Sequence, residues 1–249
     1  MKYKLKKISG DASFREFYRL KKNNKTSIIV SATKEKFKNL AVYVVINSLL
    51  NNNKINAPKL VSNHYKNDMI EISDLGEKSF YDHIISKKSK IKSYKSLIKL
   101  LVKMQKIKVK KYYKFEKLKI KIPKYTLLTL HKESDLFFDW YLKYVLRKKK
   151  INKVKKILRS ELNKVYKKLN YKNDTFVHRD FHISNVMIKK NKLGIIDSQD
   201  AIIGNPLYDV SSVIDDVRIK LPNKLQNQLF DFYHKNSKLK NDHIEKLKS

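Results

Sequence analysis

Apolar residues alternate with polar ones in short runs over the N-terminal part of the chain, then recur at helical spacing over most of the remainder. Leu5 to Ser9 and Phe14 to Leu20 read as strands on either side of the turn Gly10-Asp11-Ala12-Ser13, with Ser27 to Ser31 as a third. Residues 36–50 take helical spacing through Phe37, Leu40, Val44 and Val45 and stop at Asn51-Asn52-Asn53. Pro58 to Val61 and Met69 to Ile72 follow as two more strands, closed by Ser73-Asp74-Leu75-Gly76. Helices are then predicted over Tyr94 to Ile107, where Leu97, Leu101 and Met104 share a face, over the aromatic-rich residues 127–146, and over residues 154–169. The strands Val186 to Ile188 and Leu193 to Ile196 flank a turn at Lys190-Asn191, and further helices begin at Tyr208 and Lys224. The basic run over residues 147–150 marks an exposed helix end. The expected architecture is α+β in two lobes, a β-rich one over residues 1–75 and a mainly helical one over residues 76–249.

Composition narrows the class. A chain of 249 residues with 41% hydrophobic and 11% aromatic residues buries a real core and is not generally disordered. No apolar run approaches the roughly 20 residues a membrane helix needs, and the opening MKYKLKKISGD lacks the apolar middle of a signal peptide. A soluble cytoplasmic protein is expected. Cysteine is absent, which excludes disulfides, thiolate metal sites and a thiol nucleophile. A formal net charge of +35 suggests either a polyanionic partner or the codon usage of an AT-rich genome. The second is favoured: lysines are spread along the chain, only six of the 58 basic residues are Arg, and Gly and Pro are scarce beside Asn, Ile, Tyr and Phe. No specific nucleic-acid partner is expected, since base-reading Arg forks are so few.

The chemistry concentrates in residues 176–200. An apolar run ends in His178-Arg179-Asp180, an amide follows at Asn185, and the strand Leu193-Gly194-Ile195-Ile196 delivers Asp197. Phosphoryl transfer needs an acceptor hydroxyl oriented by a carboxylate, plus hard oxygen ligands for a Mg²⁺ that bridges the phosphates. Asp180, Asn185 and Asp197 form that set, and a hairpin between Asn185 and Asp197 returns the second acid beside the first. An isolated Asp or Asn here is more simply a turn cap. The spacing His-x-Asp-x-x-x-x-Asn, then strand, turn, strand and Asp, is what points to a phosphotransferase. His178 reads as a structural ring holding the loop, while His182 has no assigned role.

These residues, with GDASFREFYRL (10–20), EISDLG (71–76), ESDLFFDWYL (133–142) and LGIIDSQDAIIGNPLYDVSSVIDD (193–216), resemble the aminoglycoside phosphotransferase and choline kinase superfamily. Within it they are most similar to bacterial N-acetylmuramate/N-acetylglucosamine anomeric kinases, a likeness carried chiefly by GDASF and IDSQDA. The resemblance implies a protein-kinase-like two-lobed fold using ATP and Mg²⁺. Asp180 would be the catalytic base, Asn185 and Asp197 the metal ligands, and Asp209 a structural acid bracing the loop. Gly10, Asp11, Ala12 and Ser13 would cover the nucleotide phosphates, and the segment from Glu71 through Ser73 to Asp74 would meet adenine. Asp200 would touch substrate or metal, and Asp216 would lie on the substrate side. Glu133 and Trp140, seven positions apart on a predicted helix, would project from nearly one face as a substrate wall, a carboxylate beside an aromatic plane. A core Trp140 with a solvated Glu133 is the plainer alternative.

Some positions depart from the pattern. The third strand carries Ile28-Ile29-Val30-Ser31 and no lysine before Lys34, and Ser184, Ser198 and Asp215 stand where those kinases tend to carry Arg, an aromatic and a basic residue. The relatives are also expected to continue through further helices that complete the far wall of the sugar pocket, so the expectation for this chain is a shortened homologue, a fragment or a partner-dependent enzyme. The leading expectation is a kinase acting on an amino-sugar hydroxyl. Kinases of choline, homoserine or aminoglycoside type, and a basic binding protein retaining the fold, are the alternatives. Oligomeric state is not legible.

Overall fold

The structure, a computed structural model, describes residues 3–8, 15–23, 25–32, 38–168 and 174–237. The turn Gly10 to Ser13, Lys34, Lys36 and Phe37 lie outside the described residues.

Five antiparallel strands form one sheet in the order β1-β2-β3-β5-β4: β1 (Tyr3–Ile8), β2 (Glu16–Lys22), β3 (Lys25–Ser31), β4 (Leu60–His64) and β5 (Met69–Ser73). Period-two alternation sets the faces. Ile28 and Val30 of β3 and Ile70 and Ile72 of β5 are buried, while Ser27 and Glu71 look out from the opposite face and bond to one another. Helix α1 (Lys38–Asn52) covers the apolar face. Its Leu40, Ala41, Tyr43, Val44 and Val45 pack with the sheet, and its Ile46, Leu49 and Leu50 join the larger C-terminal core. A helix with both its sides in apolar surroundings does not show the clean stripe of a surface helix.

The larger core is built on α3 (Ile91–Gln105), where Tyr94, Leu97, Ile98, Leu101, Val102 and Met104 are buried at helical spacing. Around it lie α2 (Phe80–Ile84), α7 (Leu207–Ile214) and α8 (Asn223–Asn236). Two small strand pairs frame the chemistry: β8 (Thr175–Val177) with β11 (Ile202–Gly204), and the hairpin β9 (Val186–Lys189) and β10 (Lys192–Ile195). Lys190 and Asn191 both have positive φ, 49° and 59°, as a tight two-residue hairpin turn requires. A further hairpin, β6 (Tyr113–Phe115) and β7 (Leu118–Ile120), packs near α1. The pairs β6–β7 and β8–β11 have three-residue strands, too short to leave a periodic signal.

The helix expected over residues 127–146 is broken. It comprises α4 (Leu127–Leu136), a π-helical turn Phe137–Tyr141, and α5 (Leu142–Val145). The basic run then opens α6 (Lys148–Lys168), tied back to this segment by Lys155 on Asp139 at 2.8 Å and by Arg159 on Asp135. No helix among the described residues is long and apolar enough to cross a membrane.

Candidate active site

Among the described residues the buried acids are Asp74, Asp209 and Asp216, and each accepts at least one backbone N–H: from Gly76, from His178 and Arg179, and from Ile183 and Arg218, respectively. This solves one problem three times: a desolvated carboxylate is tolerated only where donors replace its water.

Asp209, in the first turn of α7, accepts from His178 N at 2.7 Å and Arg179 N at 2.9 Å. Arg179 adopts φ 77°, which turns two successive N–H groups onto one carboxylate. Burial raises the Asp209 pKa to about 7, although both backbone bonds oppose it. Asp216, just beyond α7, accepts from Ile183 N at 3.1 Å and Arg218 N at 3.0 Å. Asp180 lies between these two clamps. Its own carbonyl receives His182 N at 3.0 Å and Asn185 Nδ2 at 3.1 Å, closing the loop on itself.

With its amide nitrogen engaged there, Asn185 keeps Oδ1 as the atom with metal-binding chemistry. Its backbone carbonyl accepts from Ile196 N at 3.0 Å, so the residue preceding Asp197 is bonded directly to Asn185. Asp197 has φ 61°, a left-handed conformation that Asp tolerates better than most side chains, and its carboxylate is 41% exposed. Burial raises the Asp180 pKa, helped by the charges of Asp197 and Asp200 and opposed by Arg179 and Arg218. His178 is wholly buried beside the backbone of Ile196 and Asp180; burial lowers its pKa to about 4, so the ring is neutral at neutral pH.

Gly194 makes the seam with the linker. A Cβ there would meet Asn56 Nδ2 at 2.7 Å and Leu75 Cδ1 at 2.9 Å. The linker itself is fixed by Asp74, which accepts from Arg19 Nε at 2.8 Å and Gly76 N at 2.8 Å. Burial pushes Asp74 up, yet Arg19 and the Gly76 bond bring its pKa below the ordinary value.

Several expectations change. Asp216 has a side chain with no exposure, so it braces the loop and presents nothing to a substrate. Glu71 sits inside β5, its carboxylate accepting from Ser27 Oγ at 2.5 Å and Ser62 Oγ at 3.0 Å, and Ser73 Oγ accepts from Lys59 N at 2.8 Å. Both side chains hold the sheet together, and the linker begins at Asp74. Glu133 and Trp140 do not form a paired wall. Glu133 is bound by Arg179 and by the Tyr125 hydroxyl, the π-helical turn breaks the seven-residue phase, and Trp140 is 69% exposed and thus not core. Asp200 is exposed and accepts from Gln199 Nε2 at 2.9 Å.

Sequence reasoning passed over the arginines. Arg15, Arg19, Arg159, Arg179 and Arg218 each reach a carboxylate: Asp197, Asp74, Asp135, Glu133 and Asp216, respectively. In a chain where lysine supplies nearly all positive charge, the rarity of Arg was itself the available signal. The buried pair Asn47 and Ser198, joined at 2.7 Å, had no such signal.

Residues 4–246 match the sequence profile of the phosphotransferase enzyme family. The chain belongs to that family. An N-acetylmuramate/N-acetylglucosamine kinase of Pseudomonas aeruginosa is 25% identical over 224 residues, 86% of this chain and 60% of that protein. A kinase of the same name from Neisseria meningitidis serogroup B is 22% identical over 212 residues, 85% of this chain and 61% of that protein. The family member described here therefore spans about three fifths of the length of these curated relatives. Among solved structures, the ADP-bound aminoglycoside phosphotransferase APH(2'')-Ib aligns with a TM-score of 0.66 at 16% identity, over 93% of this chain and 78% of that one. An ethanolamine kinase from Plasmodium vivax aligns with a TM-score of 0.67 at 16% identity, over 98% and 70%. The fold is protein-kinase-like.

Proposed function

We propose that this chain is an ATP-dependent kinase whose acceptor is the anomeric hydroxyl of N-acetylmuramate or N-acetylglucosamine, acting in the cytoplasm. The observation that carries the reading is the doubly clamped loop. Asp209 and Asp216 hold its two ends, Asp180 stands between them, and the Asn185–Ile196 bond sets Asp197 alongside.

Asp180 accepts the proton of the acceptor hydroxyl as its oxygen attacks the γ-phosphorus, the bond to the β–γ bridging oxygen breaks, and ADP leaves. A carboxylate with a raised pKa holds that proton better than an ordinary one. Asn185 and Asp197 offer one amide and one carboxylate oxygen, and no larger acidic or His cluster occurs among the described residues. That donor set suits Mg²⁺, which is commonly held by one or two carboxylates together with substrate phosphates, and which when bound neutralises phosphate charge.

A sugar acceptor is favoured over a cationic one by the state of the acids. Glu133, Asp135, Asp139 and Asp216 are paired with Arg179, Arg159, Lys155 and Arg218, so these four acids are already neutralised and are poor partners for the cation of choline, ethanolamine or an aminoglycoside. The names of the curated relatives point the same way.

ADP release should be measured with Mg·ATP against N-acetylmuramate, N-acetylglucosamine, choline, ethanolamine, homoserine and an aminoglycoside, with phosphorus NMR of the product. A sugar 1-phosphate is expected. Turnover confined to an amino alcohol would replace the acceptor, and nucleotide binding without turnover on any of them would favour a binding protein.

A further inference from the structure

Kinases of this fold neutralise the nucleotide phosphates with a third-strand lysine paired to a glutamate of the helix that covers the sheet. Among the described residues neither partner is found, the one lysine of β3, Lys25, being exposed at its start. The face of β3 turned toward α1 is Ile28, Val30 and then Ala32, all buried and apolar. Helix α1, KNLAVYVVINSLLNN, contains no acid, and its buried polar side chains are Tyr43 and Asn47. A cleft built for a polyanion beside an acid at Asp197 needs a cation from elsewhere.

Arg15 is that cation by position. It stands immediately before β2, and its side chain is only 8% exposed, less than that of Arg19 at 18% or Arg179 at 32%. Its Nη2 lies 3.9 Å from Asp197 Oδ1. That distance is an ion pair, which holds the guanidinium close to the candidate metal ligand. The neighbouring Tyr43 feels both charges: after burial, which dominates, Asp197 raises its pKa and Arg15 lowers it. The other cleft arginines are committed differently, Arg19 to the linker through Asp74 and Gly76, and Arg179 and Arg218 to Glu133 and Asp216.

We propose that Arg15 is the phosphate-binding cation of the nucleotide site, standing in for the third-strand lysine and contacting phosphate oxygens of ATP close to Asp197. This rests on the phosphotransferase reading above. A planar guanidinium presents two parallel donors to phosphate oxygens, and it stays charged when desolvated, which a lysine buried in the same place does less reliably. With no nucleotide bound, Arg15 and Asp197 neutralise each other. Asp197 would be available to hold Mg²⁺, which would supply phosphate-charge neutralisation, and Arg15 would face the phosphates beside it.

The test is calorimetric binding of adenosine, ADP and ATP, with Mg²⁺, to the full chain and to Arg15→Gln and Arg15→Lys, with a melting curve of each. Arg15→Gln, which keeps a polar side chain in the seam, should weaken ATP about ten- to a hundredfold and ADP less, and leave adenosine unchanged. Arg15→Lys should recover part of the loss. Unchanged ATP binding by Arg15→Gln would overturn the assignment while leaving the kinase reading intact, as would equal loss for adenosine and ATP. A wild-type chain that binds no nucleotide at all would overturn both. Should Arg15→Gln melt too early to measure, Arg15→Lys decides: adenosine affinity kept with ATP weakened supports the assignment, and both weakened equally overturns it.

Discussion

Ser198 Oγ donates a 2.7 Å hydrogen bond to Asn47 Oδ1, joining the residue after Asp197 to helix α1 across 151 positions of sequence, with both side chains buried. This bond fastens the covering helix of the sheet to the loop that presents the candidate metal ligand. Ser198→Ala leaves the Asn47 carbonyl buried without that donor. It should destabilise the protein by about 1 to 3 kcal/mol, and thermal melting should show a midpoint lower by several degrees. An unchanged midpoint would mean that the seam opens to water at no cost.

Asp180→Asn should lower turnover about 10²- to 10⁴-fold while leaving the ATP affinity close to wild type, because the carboxylate acts on the acceptor. The wild-type rate should also fall as pH drops through the Asp180 pKa, which burial places above 3.8. In the variant this acid limb should be lost from the pH profile of the residual rate. A variant with wild-type kcat/KM would remove Asp180 from the mechanism.

His178 and Asp209 meet at one corner of the loop and have opposite pH linkages. Burial raises Asp209 from 3.8 to about 7, so between those values the folded protein keeps a proton that the unfolded chain has released, and this contribution to stability declines as pH rises. Burial lowers His178 from 6.5 to about 4, so in that window the unfolded chain holds the extra proton and stability grows as pH rises. The two nearly cancel in the wild type. Asp209→Asn should leave a stability that rises from about pH 4 to 6.5, and His178→Asn one that falls between about pH 4 and 7, each by roughly 1.4 kcal/mol per pH unit. Denaturant titrations across that range measure both slopes, and parallel slopes in the two variants would contradict the assignment.

Trp140 is 69% exposed on the π-helical turn, beside the exposed rings of Phe137, Tyr141 and Tyr144. Trp140→Ala should therefore leave the melting temperature nearly unchanged. If the exposed ring stacks on the sugar, KM for an N-acetylated hexosamine should rise with little change in KM for ATP. Equal changes in both KM values would take Trp140 off the acceptor wall.

The local parts of this protein were legible in its sequence. The β9–β10 hairpin follows from two short apolar runs around Lys190-Asn191, and once it closes it necessarily returns Asp197 toward Asn185 and Asp180. The sheet and α3 follow equally from periods of two and 3.6. By contrast, nothing near Asp216, Glu133 or Glu71 in the sequence says that one is wholly buried under backbone donors, another bound by Arg179, and the third held between serines of β3 and β4. The same holds for Arg15 at Asp197, Arg19 at Asp74 and Ser198 at Asn47. Spacing along the chain determines which residues share a turn or a hairpin, because a few backbone angles fix their separation. Whether a charged side chain faces water, substrate or another charge depends on which distant segment removes its solvent and which donors replace it, and only the packed chain settles that.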